Sequence, residues 1–139
     1  MDTKRFLAGT IVGGIVLYAV GYLIFTMAFA NFYAANAGSA MGVDRPEQLL
    51  WAMLLGNLGY AALICYAMDA RLPAGLGGGA KVGAIVGFLL WFTVDFILYG
   101  LTNLSNLTRT LVDPLLEIVH GGIGGAAIAF VVGRMKPAA

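Results

Sequence analysis

Three ionisable side chains lie close together late in this chain, in the run Asp113-Pro114-Leu115-Leu116-Glu117-Ile118-Val119-His120, and His120 is its sole histidine. A carboxylate and an imidazole three residues apart share one face of a helix, where they can exchange a proton, contact a ligand or hold a cation. Asp113 and Gly124 extend that face at the spacing i, i+4, i+7 and i+11. The flanking residues are apolar. Ionisable groups at membrane depth are costly, so they tend to be paired, inward-facing and functional.

A carboxylate in such surroundings needs a partner. Asp95 lies six residues before the outer end of the preceding apolar stretch, and His120 about 9 Å into its own if that helix begins at Pro114, at about 1.5 Å per residue. The matching depth predicts that Asp95 meets Glu117 and His120, with Tyr22, Asn57 and Tyr99 as supporting hydrogen-bond donors. Asp113 directly before Pro114 reads as a helix start, the carboxylate capping free N–H groups and proline taking the first helical position. Asp44-Arg45-Pro46-Glu47 has the same form, close to a capping box, so Asp44 and Glu47 are also read as caps.

Three chemistries fit these residues. One is a structural network of interhelical hydrogen bonds. The second is a proton-linked site for a small ligand or ion. The third is a divalent metal held by Glu117, His120, Asp95 and Asp113, although one Glu-x-x-His lacks the second copy that di-metal bundles use, unless a homodimer supplies it. No cofactor is required by the sequence. Hydrolysis is disfavoured because Ser105 belongs to a loop and Thr93 has no evident base. An enzyme is not the expected reading.

The elements that must position these groups are membrane spans. With 139 residues, 60% hydrophobic and 11% charged, and a mean hydropathy of +0.89, the chain belongs to the membrane class. Four apolar stretches, about residues 6–29, 46–68, 82–101 and 114–135, each approach the roughly 20 residues a bilayer crossing needs. The fold class read here is an all-α, four-helix transmembrane domain covering residues 1–139. Lys4, Arg5, Arg71, Lys81, Arg134 and Lys136 gather on one side against Arg45 and Arg109 on the other, which predicts cytoplasmic termini and, for a bacterial cell, an inner-membrane location. The basic residues form no stripe, so nucleic acid is not an expected partner. Lys4 and Arg5 before an apolar run ending in Ala28-Phe29-Ala30 imitate a secretory signal, but the run exceeds the roughly 7–15 residues of a signal core and reads as a retained span. Cys65 is the lone cysteine and reads as a small buried hydrophobe.

The spans also repeat. Gly9-Thr10-Ile11-Val12-Gly13 aligns with Gly83-Ala84-Ile85-Val86-Gly87, and Gly59-Tyr60-Ala61-Ala62-Leu63 with Gly124-Gly125-Ala126-Ala127-Ile128. Two helical hairpins in parallel repeat are expected, related by an axis along the membrane normal. Asp95, Glu117 and His120 face Gly21, Ala52 and Leu55 in this alignment, so the ionisable groups belong to the second hairpin alone. Gly9/Gly13, Gly83/Gly87 and Gly121/Gly125 are small-xxx-small pairs suited to close helix packing, within the chain or between copies in a homo-oligomer. Leu72-Pro73-Ala74-Gly75 with Gly77-Gly78-Gly79 reads as a flexible connector. The outer loops carry interface aromatics, Phe32 and Tyr33, and turn or capping residues, Asn103 and Asn106.

From Tyr99 to Gly121 the chain resembles a family of small bacterial four-helix membrane proteins. That family carries a Tyr-Asp-Leu-Thr-Asn-Leu motif, followed about a dozen residues later by acidic-x-x-Trp-Gly. Here the residues read Tyr99-Gly100-Leu101-Thr102-Asn103-Leu104 and Glu117-Ile118-Val119-His120-Gly121, with Gly100 in place of the aspartate and His120 in place of the tryptophan. The resemblance implies a four-helix inner-membrane fold and carries no activity with it. The expected function is binding or translocation of a small ligand or ion at an acid/histidine site in the outer half of the bilayer. The alternative is an accessory subunit whose glycine faces dock on a larger membrane complex.

Overall fold

A computed structural model describes residues 1–69 and 75–135. Arg71, Lys136 and the Leu72-Pro73-Ala74 part of the expected connector lie outside the described residues. Among the described residues the chain is all-helical, with helices α1 (Thr3–Gly21), α2 (Ala30–Ala35), α3 (Leu50–Asp69), α4 (Gly75–Leu101) and α5 (Leu107–Arg134). Between α1 and α2 the chain winds more widely, as a π-helical segment over Tyr22–Ala28, closed by Phe29 N donating to Ile24 O at 2.9 Å. Four segments are long and apolar enough to cross a membrane: Thr3–Ala28, Leu50–Asp69, Gly75–Leu101 and Leu107–Arg134.

Several boundaries differ from the sequence expectation, each for a local reason. Helix α5 starts seven residues before Pro114, because Asn106 supplies the cap: its side chain accepts from Arg109 N at 2.9 Å. Asp113 is therefore no cap, and Pro114 sits inside the helix. A helix-interior proline is tolerated in membrane bundles because neighbouring helices and hydroxyl side chains satisfy the freed backbone groups. Asp44 and Glu47 cap nothing either, since α3 starts at Leu50 and its first bonds run from Ala52 N and Met53 N to Leu49 O. Gly77, Gly78 and Gly79 are helical rather than a loose connector. Glycine is a poor helix former in isolation, but Gly79 lets the first turns of α4 lie against Gly125 and Ala129 of α5.

Glycine sets the helix packing throughout. A Cβ on Gly83 would lie 2.9 Å from Gly125 Cα, so α4 and α5 touch backbone to backbone. Gly9 faces Cys65 and Ile128, and Gly13 faces Ile128 and Ala61, which draws α1 onto α3 and α5. The three small-residue pairs are thus filled within the chain. Where lipid is as apolar as leucine, such close approach is what makes association favourable.

The bundle is closed at one end and open at the other. Leu17, Ala61, Ile64, Cys65, Met68, Ile128 and Val132 form the core. That end is tied by an ion pair between the Met1 amino group and Asp69, and by the Arg5 guanidinium donating to Met135 O. Toward the other end α3 stands off: its buried residues begin only at Tyr60, and a Cβ added to Gly56 or Gly59 would meet nothing within 4 Å. The loop after α2 and the loop after α4 meet. Gly38 N donates to Leu104 O and Ala40 N to Asn103 O, both at 3.0 Å, while Asn106 Nδ2 donates to Asn36 Oδ1 at 3.0 Å.

Candidate functional site

The stand-off of α3 leaves a cleft of about 980 Å³ among α1, the π-helical segment, α3 and α5. Glu117 and His120 form its floor, 2% and 4% exposed. Their spacing on one helical turn brings His120 Nδ1 within 2.8 Å of Glu117 Oε2. On the ring's far side His120 Nε2 lies 2.8 Å from the Leu17 carbonyl. A carbonyl only accepts, so Nε2 carries a hydrogen and donates to it. One further proton then sits between Nδ1 and Glu117. Whether it resides on nitrogen or oxygen, the pair as a whole is neutral, which is how a carboxyl and an imidazole can be buried together.

The surroundings fix this pair tightly. Tyr60, 7% exposed, donates its hydroxyl to Glu117 Oε2 at 3.3 Å. Its oxygen occupies the space that a Cβ on Gly87 or Gly121 would need. The rings of Phe25 and Tyr60 stand edge-on to His120, at 5.4 and 5.7 Å between centroids. Gly21 leaves room for the imidazole, since a Cβ there would lie 3.1 Å from Nε2. The π-helical segment carries Tyr22, Phe25 and Thr26 into the cleft wall. Such wide turns recur where a helix must reshape around a site.

A second polar cluster sits nearer the loops that follow α2 and α4. Tyr33 donates its hydroxyl to Asp113, and the Arg109 guanidinium lies over the Tyr33 ring, 4.9 Å from its centroid. Burial, reinforced by the hydrogen bond to Asp113, holds the Tyr33 phenol well above its ordinary range. Asp95 reaches the Asp113 carboxyl from α4, and its Oδ2 is buried without a hydrogen-bond partner. Asp95, Arg109 and Asp44 also line a smaller cavity of about 280 Å³.

Glu117 and His120 therefore meet as their spacing predicts, whereas Asp95 joins Asp113 instead of them. Helical rise matches depth but not azimuth, and Asp95 faces a different part of α5. Tyr22, 42% exposed, and Asn57 both line the cleft, but Asn57 Nδ2 donates to Met53 O of its own helix at 2.9 Å. Tyr99, 40% exposed, lines neither cavity. Sequence reasoning missed Tyr60, Tyr33 and the Leu17 carbonyl. A tyrosine hydroxyl amid the small residues Gly59, Ala61 and Ala62 was a readable signal for Tyr60; a backbone carbonyl leaves none.

The metal set of Glu117, His120, Asp95 and Asp113 divides between the two clusters. Among the described residues no three His, Cys, Asp or Glu side chains converge as a metal would need. The chain matches no protein-family model, no curated protein and no solved structure.

Proposed function

We propose that this chain is a multi-pass membrane protein that binds or translocates a small ligand or ion in its cleft, with Glu117 and His120 as the proton-exchanging pair. The observation that carries this reading is the floor of the cleft: a buried, hydrogen-bonded acid–imidazole pair beside about 980 Å³ of open space. Helix α3 reaches the pair through Tyr60, while its Gly56 and Gly59, beside the pair, leave the cleft unfilled. Concave sites of roughly 300–1,000 Å³ with a few convergent polar groups are the usual form of small-molecule sites.

Cytoplasmic termini follow from the clustering of basic residues, and then the cleft opens toward the outer leaflet. The parallel repeat rests on the alignment of the spans; in packing, Gly9 and Gly13 of α1 meet both α3 and α5, whereas Gly83 of α4 meets α5. The accessory-subunit alternative drew on glycine faces, and those now serve contacts within the chain. Purification in mild detergent separates the two, because a stoichiometric foreign protein would favour the subunit.

Native mass spectrometry of the purified chain, incubated with a total membrane extract at pH 6 and pH 8, tests the reading. A small-molecule adduct whose occupancy changes with pH is expected. It should vanish in Gly59→Trp, which fills the cleft from a position with open space beside it, and lose its pH dependence in His120→Ala. An adduct with the same pH profile in His120→Ala would refute the role given to the pair.

A further inference from the structure

We infer that the cleft takes a lipophilic organic cation, an ammonium or other onium group bearing apolar substituents, with the free Glu117 oxygen as its anionic contact. The inference rests on the cleft being a ligand site. Its first ground is the hydrogen bonding of Glu117. Oε2 takes both neighbouring polar groups, sharing a proton with His120 Nδ1 and accepting from the Tyr60 hydroxyl. Oε1 receives none from the described residues, although Glu117 is 2% exposed and lines the cleft. That oxygen is not fully enclosed, and as Glu117 lines the cleft, a ligand group there can supply its partner.

The walls specify the partner's chemistry. Tyr18, Tyr22, Phe25, Tyr60 and Trp91 line the cleft around Glu117. Aromatic faces attract cations, most strongly where water is excluded, and a carboxylate among them adds charge complementarity. The ionisable groups facing the pair agree. Helix α5 itself contributes Asp113 and Arg109, α4 contributes Asp95 beside Asp113, α3 the Tyr60 hydroxyl, α2 the Tyr33 hydroxyl, and the loop before α3 contributes Asp44. Arg109 is the only fixed cation in this set, and it lies on the Tyr33 ring in the outer cluster. An anion at the floor would face the Glu117 carboxyl, while both His120 nitrogens are already engaged and Arg109 is held on the Tyr33 ring. A bare metal ion is disfavoured by the volume and by the lack of three converging ligands among the described residues.

Charge balance links binding to a proton. The pair is neutral with one proton between Nδ1 and the carboxyl. A cation at Oε1 replaces that proton, which leaves for solvent, and the floor becomes a carboxylate, a neutral imidazole and the ligand's positive charge. One proton is released per cation bound, so affinity tightens as pH rises.

Tetraphenylphosphonium and tetraphenylborate, alike in shape and opposite in charge, test this by titration calorimetry on the full chain in neutral detergent. The phosphonium should bind at least about tenfold tighter than the borate, with about one proton released, as read in buffers of different ionisation enthalpy. Glu117→Gln should weaken phosphonium binding by about tenfold or more. Tyr22→Ala removes a half-exposed wall residue, leaves the fold intact and should weaken it several-fold. Borate binding as tight as phosphonium, an unchanged affinity in Glu117→Gln, or no phosphonium binding overturns the inference. If both ions bind equally and both are lost in Gly59→Trp, the cleft is a ligand site without cation selectivity. If neither ion binds and no adduct forms from membrane extract, the ligand-site reading falls as well.

Discussion

Replacing Gly83 by alanine tests the packing that holds the site together. A Cβ at this position would lie 2.9 Å from Gly125 Cα and nearer still to the Gly121 carbonyl oxygen. Carbon atoms pack at about 3.5–4.0 Å, so α4 and α5 must part by at least about 0.6 Å to admit one methyl group. Overpacking of this kind costs about 1–3 kcal/mol. The change does not stay local. One turn further along, Gly87 faces the Glu117 carbonyl and the Tyr60 hydroxyl, so separation of the helices loosens the residues that seat Glu117. Gly100 of the same helix is the control, because nothing lies within 4 Å of the Cβ it would gain. There alanine should be neutral or stabilise by up to about 1 kcal/mol through helix propensity. The assay is reversible unfolding in mixed micelles of increasing dodecyl sulfate fraction, followed by tryptophan fluorescence. Gly83→Ala should unfold at a lower fraction than the parent chain, and Gly100→Ala should not. If the two variants unfold together, α4 and α5 are not in backbone contact and the reasoning fails.

Two further outcomes are expected. The Tyr33 phenol lies above its ordinary value in the folded protein through burial and its bond to Asp113. The stabilisation from its neutral form is thus complete below the unfolded value near pH 10 and declines as pH rises beyond it. The parent chain should lose stability above about pH 10 more steeply than Tyr33→Phe, and equal slopes in the micelle unfolding assay would contradict this. Cys65 of α3 is fully enclosed, with Thr10 and Gly9 of α1 beside its sulfur. A maleimide should label it only after unfolding in dodecyl sulfate, and rapid labelling of the folded protein would show that this core is open.

Much of the fold was legible because long apolar runs are a strong signal: about 20 apolar residues with their backbone bonds satisfied internally make a helix of spanning length. Composition and run length therefore located four helices. Helix ends were less legible. The Asp113-Pro114 pair has the form of a start signal, yet Asn106 upstream offers its own cap, and the helix keeps the longer run. Gly77, Gly78 and Gly79 read as a linker by propensity, but a tertiary contact with Gly125 and Ala129 outweighs propensity where backbones can touch.

The candidate site divides along the same line. That Glu117 and His120 would meet followed from their three-residue spacing on one helix, a matter of local geometry that any helical context preserves. Their surroundings depended on how separate helices rotate and lean. Tyr60 reaches Glu117 because Gly87 and Gly121 leave room for its hydroxyl; Leu17 reaches His120 through a backbone carbonyl; Asp95 turns to Asp113 rather than to either. The cleft exists because α3 packs along only part of its length. Sequence alone determined the number of apolar helices and the one intrahelical polar pair, since both rest on periodicity and run length. Only the tertiary structure decided which polar groups share a cavity, because azimuth and tilt are set by contacts between small residues far apart in the chain.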